Sequence, residues 1–305
     1  MNVSLCVCTC RRPVGLRRLL DAVARVRTER VQRLEVVVVD NDPDGSARAT
    51  VDAMEGMPFA LRYAHEPRRG ISFARNRAIA EADPASDWIA FLDDDEEPEP
   101  RWLDELLRVQ AEHAADVVAG PVPPRYERPA PRWVVRGGFH EPQRRRTGTL
   151  LPYADTGNVL VRASIFRAFA VPFTPSLALA GGADTHFFLQ VARAGHRIVW
   201  ADDAVAWEWV PPSRTRLSWL LQRAFRRGNG WALLERELEP GLRVRARRVL
   251  RGGGRIVRGM VLLPVALFRG RHAVVDALRG ICFGAGSLAG VAGYRYQEYR
   301  TTHGA

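Results

Sequence analysis

The stretch Trp88-Ile89-Ala90-Phe91-Leu92-Asp93-Asp94-Asp95 carries the most information about the fold. A short apolar run that ends in a charged cluster is typical of a buried strand in an α/β sheet, and such sheets bind ligands at the carboxyl ends of their strands. Three adjacent carboxylates repel one another. A divalent oxygen-seeking cation, Mg²⁺ or Mn²⁺, would relieve that repulsion and could bridge to phosphate oxygens. The alternative is a solvated acidic turn before a helix, whose N-terminus favours acidic side chains.

Strand and helix patterns alternate around this stretch. Repeated β-α-β units predict a mainly parallel sheet covered by helices on both faces, a fold of the α/β class. Strands are predicted at residues 3–9, 34–40, 59–65, 88–92, 117–120, 156–161, 198–200 and 205–210. Helices are predicted after Pro13, at 70–81, 100–113 and 184–194, and from Leu217 onward. Residues 121–152, with five prolines between 121 and 131, are predicted to be irregular.

The positive charge of the chain is concentrated in its last third. All 45 basic residues are arginine, and the formal net charge is +11. Residues 1–204 carry 27 arginines and 28 acidic residues, whereas residues 205–305 carry 18 arginines and 6 acidic residues. Such a basic segment suits nucleic acid, an anionic membrane surface or a pyrophosphate-bearing ligand. No nucleic-acid-binding module is recognisable, so no nucleic-acid partner is expected.

Two apolar stretches follow the arginine-rich segment, Met260–Phe268 and Gly280–Tyr294. At 9 and 15 residues both are shorter than the roughly 20 needed to span a bilayer, and Pro264 interrupts the first. Together with the arginines they predict a helical region that lies in the membrane interface. A helical subdomain that packs on the core and has a solvated basic face is the alternative.

The amino-terminal residues indicate the compartment. They lack the basic and apolar pattern of a cleavable secretory signal. Cys6, Cys8 and Cys10 alternate along one predicted strand and are expected to stay reduced. A cytoplasmic protein, peripheral on the inner face of the membrane, is therefore predicted.

Five motifs stand in an order that resembles a known enzyme family. They are Ser4–Pro13, Val36–Asp42, Gly70–Asn76, Phe91–Pro98 and Gly181–Asp184. In this order and spacing they resemble family 2 glycosyltransferases of the GT-A fold, inverting enzymes that use a nucleotide-activated sugar. The resemblance covers about residues 1–230. The segment Val210–Gly228 is similar to a signature of the bacterial polysaccharide-assembly branch, particularly succinoglycan-type glucosyltransferases.

The resemblance implies that the amino-terminal motifs bind the donor. Six residues are implied in this role: Thr9, Arg11, Asp40, Asp42, Arg75 and Asn76. Asp40, at a strand end, would accept hydrogen bonds from a uracil edge, while Thr9 and Arg11 would border the base and its phosphates. Asp42 could reach the ribose or cap the next turn, and Arg75 with Asn76 would reach the nucleotide from the side. The alternatives are a capping role for Asp40 and a surface ion pair for Arg75.

The acidic triplet and Asp184 receive the chemical roles. By the resemblance, Asp95 coordinates Mg²⁺ or Mn²⁺ that bridges two phosphates, Asp94 contacts ribose or metal, and Asp93 supports the turn. Asp184 is the candidate general base that takes the proton of the acceptor hydroxyl, with a helix N-cap as the alternative. The family usually has Glu-Asp where this chain has Ala183-Asp184. That departure puts the binding of the acceptor hydroxyl in question more than catalysis.

Two further residues are weaker candidates. His186 follows Asp184 by two positions and could touch acceptor or metal, and a partly buried histidine without a catalytic role is the alternative. Glu208 lies between Trp207 and Trp209, in a region where some relatives place a metal-binding histidine.

These observations predict an inverting, metal-dependent glycosyltransferase. It would move one hexose from a UDP-sugar to a saccharide, expected on a polyprenyl-diphosphate carrier. Residues 1–212 would form the nucleotide-sugar-binding and catalytic domain, and residues 213–305 a basic amphipathic helical region. Processive synthases carry Gln-x-x-Arg-Trp, whereas Gln222 here is followed by Arg223-Ala224-Phe225-Arg226-Arg227, which favours single addition. The alternatives are a transferase acting on a soluble acceptor, a sugar nucleotidyltransferase and a non-catalytic nucleotide-sugar-binding scaffold.

Overall fold

The computed structural model describes residues 1–297, so the last eight residues of the predicted basic region lie outside the described part. In chain order the strands are β1 (Asn2–Thr9), β2 (Arg33–Asp40), β3 (Ala60–His65), β4 (Trp88–Asp93), β5 (Glu96–Pro98), β6 (Val117–Ala119), β7 (Pro124–Tyr126), β8 (Val159–Arg162), β9 (Ile198–Trp200) and β10 (Ala206–Val210). The helices are α1 (Pro13–Val23), α2 (Arg48–Asp52), α3 (Ile71–Glu81), α4 (Trp102–His113), α5 (Arg132–Gly137), α6 (Ala163–Ala168), α7 (Ala183–Arg193), α8 (Leu217–Leu238), α9 (Leu242–Arg269) and α10 (Arg271–Val291).

Within residues 1–297, seven strands form the main sheet in the order β3-β2-β1-β4-β8-β6-β9. Neighbouring strands are parallel except that β8 runs antiparallel to both β4 and β6. The chain order reverses at β1, which pairs with β2 on one side and β4 on the other. A crevice forms at the carboxyl ends of the strands where the order reverses, and this is where open α/β sheets bind ligands. The predicted α/β fold class is confirmed.

Helices cover both faces of this sheet because its central strands are apolar on both sides. In β2, Val36 and Val38 belong to one core cluster, whereas Val37 and Val39 belong to the other. Helices α1 and α4 pack on the first face, and α3 and α7 pack on the second. Successive side chains of a strand point to opposite faces, so a continuous valine run requires two cores.

A smaller sheet of the described residues joins β10 to β5 and β7. It corrects the prediction that residues 121–152 are irregular, because this segment contains β7 and the helix α5. The prolines are compatible with both elements. Pro124 is the first residue of β7, and Pro131 precedes the first turn of α5, positions at which a missing N–H removes no ladder or helix bond.

The carboxy-terminal helices correct a second prediction. Helix α10 is one continuous helix of 21 residues, long and apolar enough to be a candidate membrane span. The sequence predicted that its apolar run is too short to span a bilayer. The apolar run in the sequence begins at Gly280, whereas the helix begins earlier, at Arg271. A third of the most apolar 18-residue segment of α10 is buried in the protein, where α10 packs on α8 and α9. The core helix of a soluble protein can have the same length and composition.

The four cysteines of the chain are free thiols. Cys6 lies buried in β1, and burial raises its pKa well above the usual range for a thiol. Burial also raises the pKa of Cys8 to about 12. Both thiols therefore stay protonated, which makes them poor nucleophiles and poor metal ligands.

Candidate active site

A cleft of about 440 Å³ opens where β1 and β4 end, within the size range of small-molecule sites. Its walls come from these strand ends, the acidic triplet, the glycine turn before α7 and one side of α8. Seven candidate site residues that the sequence singled out line it: Thr9, Arg75, Asp93, Asp94, Asp95, Asp184 and Glu208. The tertiary structure thus brings the acidic triplet and the candidate base into one cavity.

The acidic triplet is held by a hydroxyl and by arginine side chains. The Thr9 hydroxyl donates to Asp94 Oδ2 at 2.8 Å. The Arg12 guanidinium lies 2.8 Å from Asp94 Oδ1 and 3.1 Å from Asp95 Oδ2. Burial opposes the charge of Arg12, but Asp94 and Asp95 outweigh it and raise the pKa of the guanidinium. Asp94 is 4% exposed, so the alternative of a solvated acidic turn does not describe this segment.

Arg214 joins the triplet to the second sheet. Its guanidinium lies 2.9 Å from Asp95 Oδ2 and 2.6 Å from Glu208 Oε1. Strand β10 carries Glu208, and a short 3₁₀ turn, Pro212–Thr215, carries Arg214. Burial raises the pKa of Glu208, and the charge of Asp95 raises it further, while Arg214 opposes both. Two carboxylates from distant parts of the chain therefore converge on one cation.

Asp95 and Glu208 are the two cleft carboxylates that converge on one position, which the Arg214 guanidinium occupies in this structure. Among residues 1–297, no three carboxylate, imidazole or thiol groups form a ready-made metal cage. Mg²⁺ does not need one, because it is usually bound by one or two carboxylates together with substrate phosphates and water. Asp94 is less suited, since its two oxygens already accept from Thr9 and Arg12.

Asp184 lies in the first turn of α7 and faces the cleft. Gly181 and Gly182 precede the helix with φ of +78° and +84°, a left-handed backbone that glycine adopts without strain. Gly182, not Asp184, is the N-cap residue, so the alternative role predicted for Asp184 does not hold. Asp184 Oδ1 accepts from the Thr185 N–H at 2.7 Å, and Arg75 lies 3.6 Å from Oδ2.

Asp93 has the most perturbed acidity of the triplet. Burial raises the pKa of Asp93 to about 7, and the charges of Asp95, Asp94 and Asp184 add to the shift while Arg75 opposes it. Strongly shifted carboxyl groups in a cleft are typical of functional sites. Arg75 is buried and interacts with Asp93 as well as Asp184, so it links the triplet to the candidate base.

Asp40 does not face the cleft in the way the resemblance implies. It is fully buried, and it accepts hydrogen bonds from the N–H of Asp42 at 3.0 Å, the N–H of Ala47 at 2.6 Å and the Tyr63 hydroxyl at 3.3 Å. Ala47, not Asp40, is the N-cap residue of α2, so the alternative of a helix N-cap does not hold for Asp40. Asp40 holds its own loop, and its contact with a uracil edge stays a prediction.

Arg11 and Asp42 pair with each other instead of lining the cleft. The Arg11 guanidinium lies 3.0 Å from Asp42 Oδ1. Burial opposes ionisation of Asp42, but hydrogen bonds from the Ser46 hydroxyl and the Asp44 N–H, with a smaller contribution from Arg11, lower its pKa. Arg11 also reaches Asp44. The predicted contacts of Arg11 with phosphate and of Asp42 with ribose find no support in this arrangement.

Asn76 and His186 have structural partners. The Asn76 amide donates to the Phe173 carbonyl at 2.7 Å and accepts from the Phe173 N–H at 3.0 Å, and its predicted role at the nucleotide stays a prediction. His186 is 8% exposed and its Nδ1 lies 3.1 Å from the Gln190 amide. Burial lowers the pKa of His186, as the non-catalytic alternative anticipated.

Several cleft residues were missed by sequence reasoning. Arg12 and Arg214 contact the triplet, and Glu96 is a buried carboxylate that accepts the Asp93 N–H at 3.0 Å. Along α8, cleft-lining residues recur at three- or four-residue spacing: Trp219, Arg223, Arg226, Arg227, Gly230, Trp231 and Leu234. That periodicity is readable in the sequence, but it does not tell which face of the helix meets the cleft.

The chain belongs to glycosyl transferase family 2, whose family model matches residues 4–169. It is 34% identical over 302 residues to the succinoglycan biosynthesis protein ExoM of Rhizobium meliloti (strain 1021), covering 98% of this chain and 95% of ExoM. Its fold is similar to that of S. aureus TarS 1-349 in complex with UDP, with a TM-score of 0.56, 18% identity and coverage of 97% of this chain and 93% of TarS.

The same TarS fragment in complex with UDP-GlcNAc gives a TM-score of 0.55 at 15% identity, covering 97% of this chain and 93% of that fragment. The predicted family, the GT-A fold and the assignment as an enzyme are confirmed. The protein is a glycosyltransferase.

Proposed function

We propose that the protein is an inverting, metal-dependent, non-processive transferase that moves a hexose from a UDP-sugar to a saccharide in polysaccharide assembly. The proposal is based on one observation. Asp184 and the acidic triplet line the same cleft, and Arg75 interacts with both. An inverting transfer needs a carboxylate that takes the acceptor proton and a separate set of groups that stabilises the leaving diphosphate. The cleft contains both sets.

Asp184 is assigned as the general base. Its position is supported by the Thr185 N–H and by Thr156, whose hydroxyl lies 3.4 Å from Oδ2. On the leaving-group side, Asp95 and Glu208 would hold Mg²⁺ or Mn²⁺, and Arg12 and Arg214 supply fixed positive charge beside them. The metal, when bound, would neutralise charge on the diphosphate.

The relatives and the charge distribution support the proposed donor and carrier. Solved TarS structures contain UDP and UDP-GlcNAc, which supports a UDP-sugar donor. ExoM is a succinoglycan biosynthesis protein, which supports a saccharide acceptor. We assign residues 1–212, together with Arg214, to donor binding and catalysis, and the rest of the basic region 213–305 to the acceptor side and an anionic membrane surface. A polyprenyl-diphosphate carrier and a cytoplasmic, peripheral location fit that basic region.

Calorimetric binding and slow hydrolysis of UDP-, GDP- and dTDP-sugars, with Mn²⁺, Mg²⁺ or EDTA, test the proposal. Metal-dependent binding of one UDP-sugar is expected. Asp95→Ala should weaken the metal-dependent binding about tenfold or more, since a charged ligand is lost. Asp52→Ala, which removes an exposed carboxylate on α2 outside the cleft, is the matched control.

Asp184→Asn separates binding from chemistry in the same assay. It should keep donor affinity and lower hydrolysis about 100-fold or more, the usual contribution of a general base. Full activity of Asp184→Asn would remove it as base, and metal-independent binding in the wild type would refute the metal assignment. No binding of any UDP-sugar would refute the donor.

A further inference from the structure

Helix α8 and the loop before β8 meet at one corner of the cleft. The rings of Tyr153 in the loop and Trp231 in α8 are in edge contact, with centroids 5.4 Å apart and planes at 75°. Both side chains are half-buried and both line the cleft. An aromatic pair in this position presents an apolar surface to the cavity, next to polar groups that can take hydrogen bonds.

Asp155 lies in this corner, beside the candidate base. The Thr185 hydroxyl is 3.4 Å from Asp155 Oδ1 and 3.5 Å from Asp184 Oδ1. A hydroxyl has one proton, so it can donate to only one of the two carboxylates at a time. Among the described residues, Asp155 has no other hydrogen-bond donor within range, and its side chain is exposed. Its remaining lone pairs are open to a ligand.

Asp155 faces both a like and an opposite charge: burial within the cleft and Asp184 raise its pKa to about 6, and Arg227 opposes the shift. Arg227, on the cleft side of α8, is exposed and interacts electrostatically with Asp155. Within residues 1–297 the two groups form no ion pair at contact distance, so a ligand group can enter between them. A carboxylate accepts hydrogen bonds, a guanidinium donates them, and aromatic rings contact C–H faces. A pyranose ring carries all three complementary features: hydroxyl donors, oxygen acceptors and an apolar face.

We propose that Tyr153, Asp155, Arg227 and Trp231 form the subsite for the acceptor sugar, in which Asp155 accepts hydrogen bonds from hydroxyls next to the reacting one. The inference rests on the proposed transfer, because the acceptor must reach the base from the side where Asp184 takes its proton. Because Asp155 lies beside Asp184 at the shared Thr185 hydroxyl, it is placed on the acceptor side of the cleft in this proposal. Asp155 is a binding and positioning residue here, not the base.

Saturation-transfer NMR on the full chain with Mn²⁺ and saturating UDP tests this subsite. The probes are the methyl glycosides of glucose, galactose, mannose and N-acetylglucosamine. The wild type should bind at least one of them, and Asp155→Asn and Trp231→Ala should each weaken it about tenfold, the effect of losing one good contact. The affinity for UDP, measured by calorimetry, should stay within about twofold, as expected for sites without shared contacts.

Asp203→Asn and Trp133→Ala are matched controls outside the cleft lining, and they should leave glycoside binding unchanged. The inference is overturned if the UDP-bound wild type engages none of the four glycosides, or if Asp155→Asn binds as well as the wild type. It is also overturned if Asp155→Asn weakens UDP and glycoside in parallel, which would place Asp155 at the donor. Failure of the wild type to bind UDP at all would refute the proposed function instead.

Discussion

Arg11 and Arg12 are adjacent in the chain, yet they serve opposite sides of the end of β1. Arg11 has a left-handed backbone, with φ of 56°, and pairs with Asp42, whereas Arg12 pairs with Asp94 and Asp95. A positive φ is uncommon outside glycine and turns the chain sharply. The resemblance implied a donor contact for Arg11, whereas in the structure Arg12 lines the cleft.

His140 is a buried histidine without a hydrogen-bond partner on either ring nitrogen among the described residues. Its ring stacks on Trp219, with centroids 5.5 Å apart. Burial lowers the pKa of His140 to about 4, and the charges of Arg223, Arg214 and Arg279 contribute to the shift. The folded protein therefore holds this ring neutral at pH values where an unfolded chain would protonate it.

Replacing His140 with phenylalanine should make the protein less sensitive to mild acid. The pKa of His140 is about 4 in the folded protein, whereas its ordinary value is 6.5. The unfolded chain therefore binds a proton at higher pH than the folded protein. The free energy of unfolding has its full value above pH 6.5 and falls as the pH drops towards 4. Between pH 7 and pH 4.5 the wild type should lose about 2.5 kcal/mol of unfolding free energy more than His140→Phe. Urea denaturation at both pH values measures this, and equal losses would contradict the assignment.

At the scale of elements, glycines decide how closely the carboxy-terminal helices pack. A Cβ at Gly228 in α8 would overlap the carbonyl oxygen of Phe283 in α10, and a Cβ at Gly286 would overlap that of Phe225. The backbones of α8 and α10 are therefore in direct contact. This contact holds the cleft-lining side of α8 in place, so the helical region completes the cleft and is not a separate appendage.

Gly228→Ala should destabilise the protein by about 1–3 kcal/mol, because the added methyl group must push two helix backbones apart. Gly254→Ala in α9 is the matched control, since nothing lies within 4 Å of its added Cβ. There the higher helix propensity of alanine should stabilise by up to about 1 kcal/mol. Denaturant unfolding of the two variants should give opposite signs, and a stable Gly228→Ala protein would show that α8 and α10 can separate without cost.

At the scale of the whole molecule, α9 has an apolar face that the described residues leave uncovered. Leu250, Val261 and Phe268 are 75%, 68% and 93% exposed, and with Val257 and Val265 they recur at helical spacing. The helix carries eight arginines and no acidic residue. Exposed apolar side chains flanked by cations fit an anionic membrane surface better than solvent.

The full-length protein should therefore float with vesicles that contain phosphatidylglycerol, and less with neutral phosphatidylcholine vesicles or at high salt. Changing Leu250, Val261 and Phe268 together to serine should reduce flotation about tenfold or more, given the apolar area lost. Leu150→Ser with Val171→Ser removes exposed apolar side chains elsewhere and is the control. Equal flotation of both variants, or a dimer that covers α9 in size-exclusion chromatography, would refute membrane docking through this face.

Sequence reasoning succeeded where function depends on residues close together in the chain. The triplet at the end of β4, the glycine turn before Asp184 and the motif around Arg75 were each predicted from local pattern, and they meet in one cleft. It does not foresee the partner of Asn76, whose amide is bound to Phe173, 97 residues away. It also does not foresee that the oxygens of Asp40 accept hydrogen bonds from its own loop, because hydrogen-bond satisfaction depends on the folded backbone.

By itself the sequence determined the α/β class, the family and the location of the site at the strand ends, because strand and helix periodicity and short motifs are local properties of the chain. Only the tertiary structure decided which charges meet. Arg214 lies between Asp95 and Glu208. The hydroxyl of Thr185 lies between Asp155 and Asp184 and can donate to either carboxylate. Coulomb interactions and hydrogen bonds act over a few ångströms in space, whatever the separation in sequence, so these pairings exist only in the folded chain.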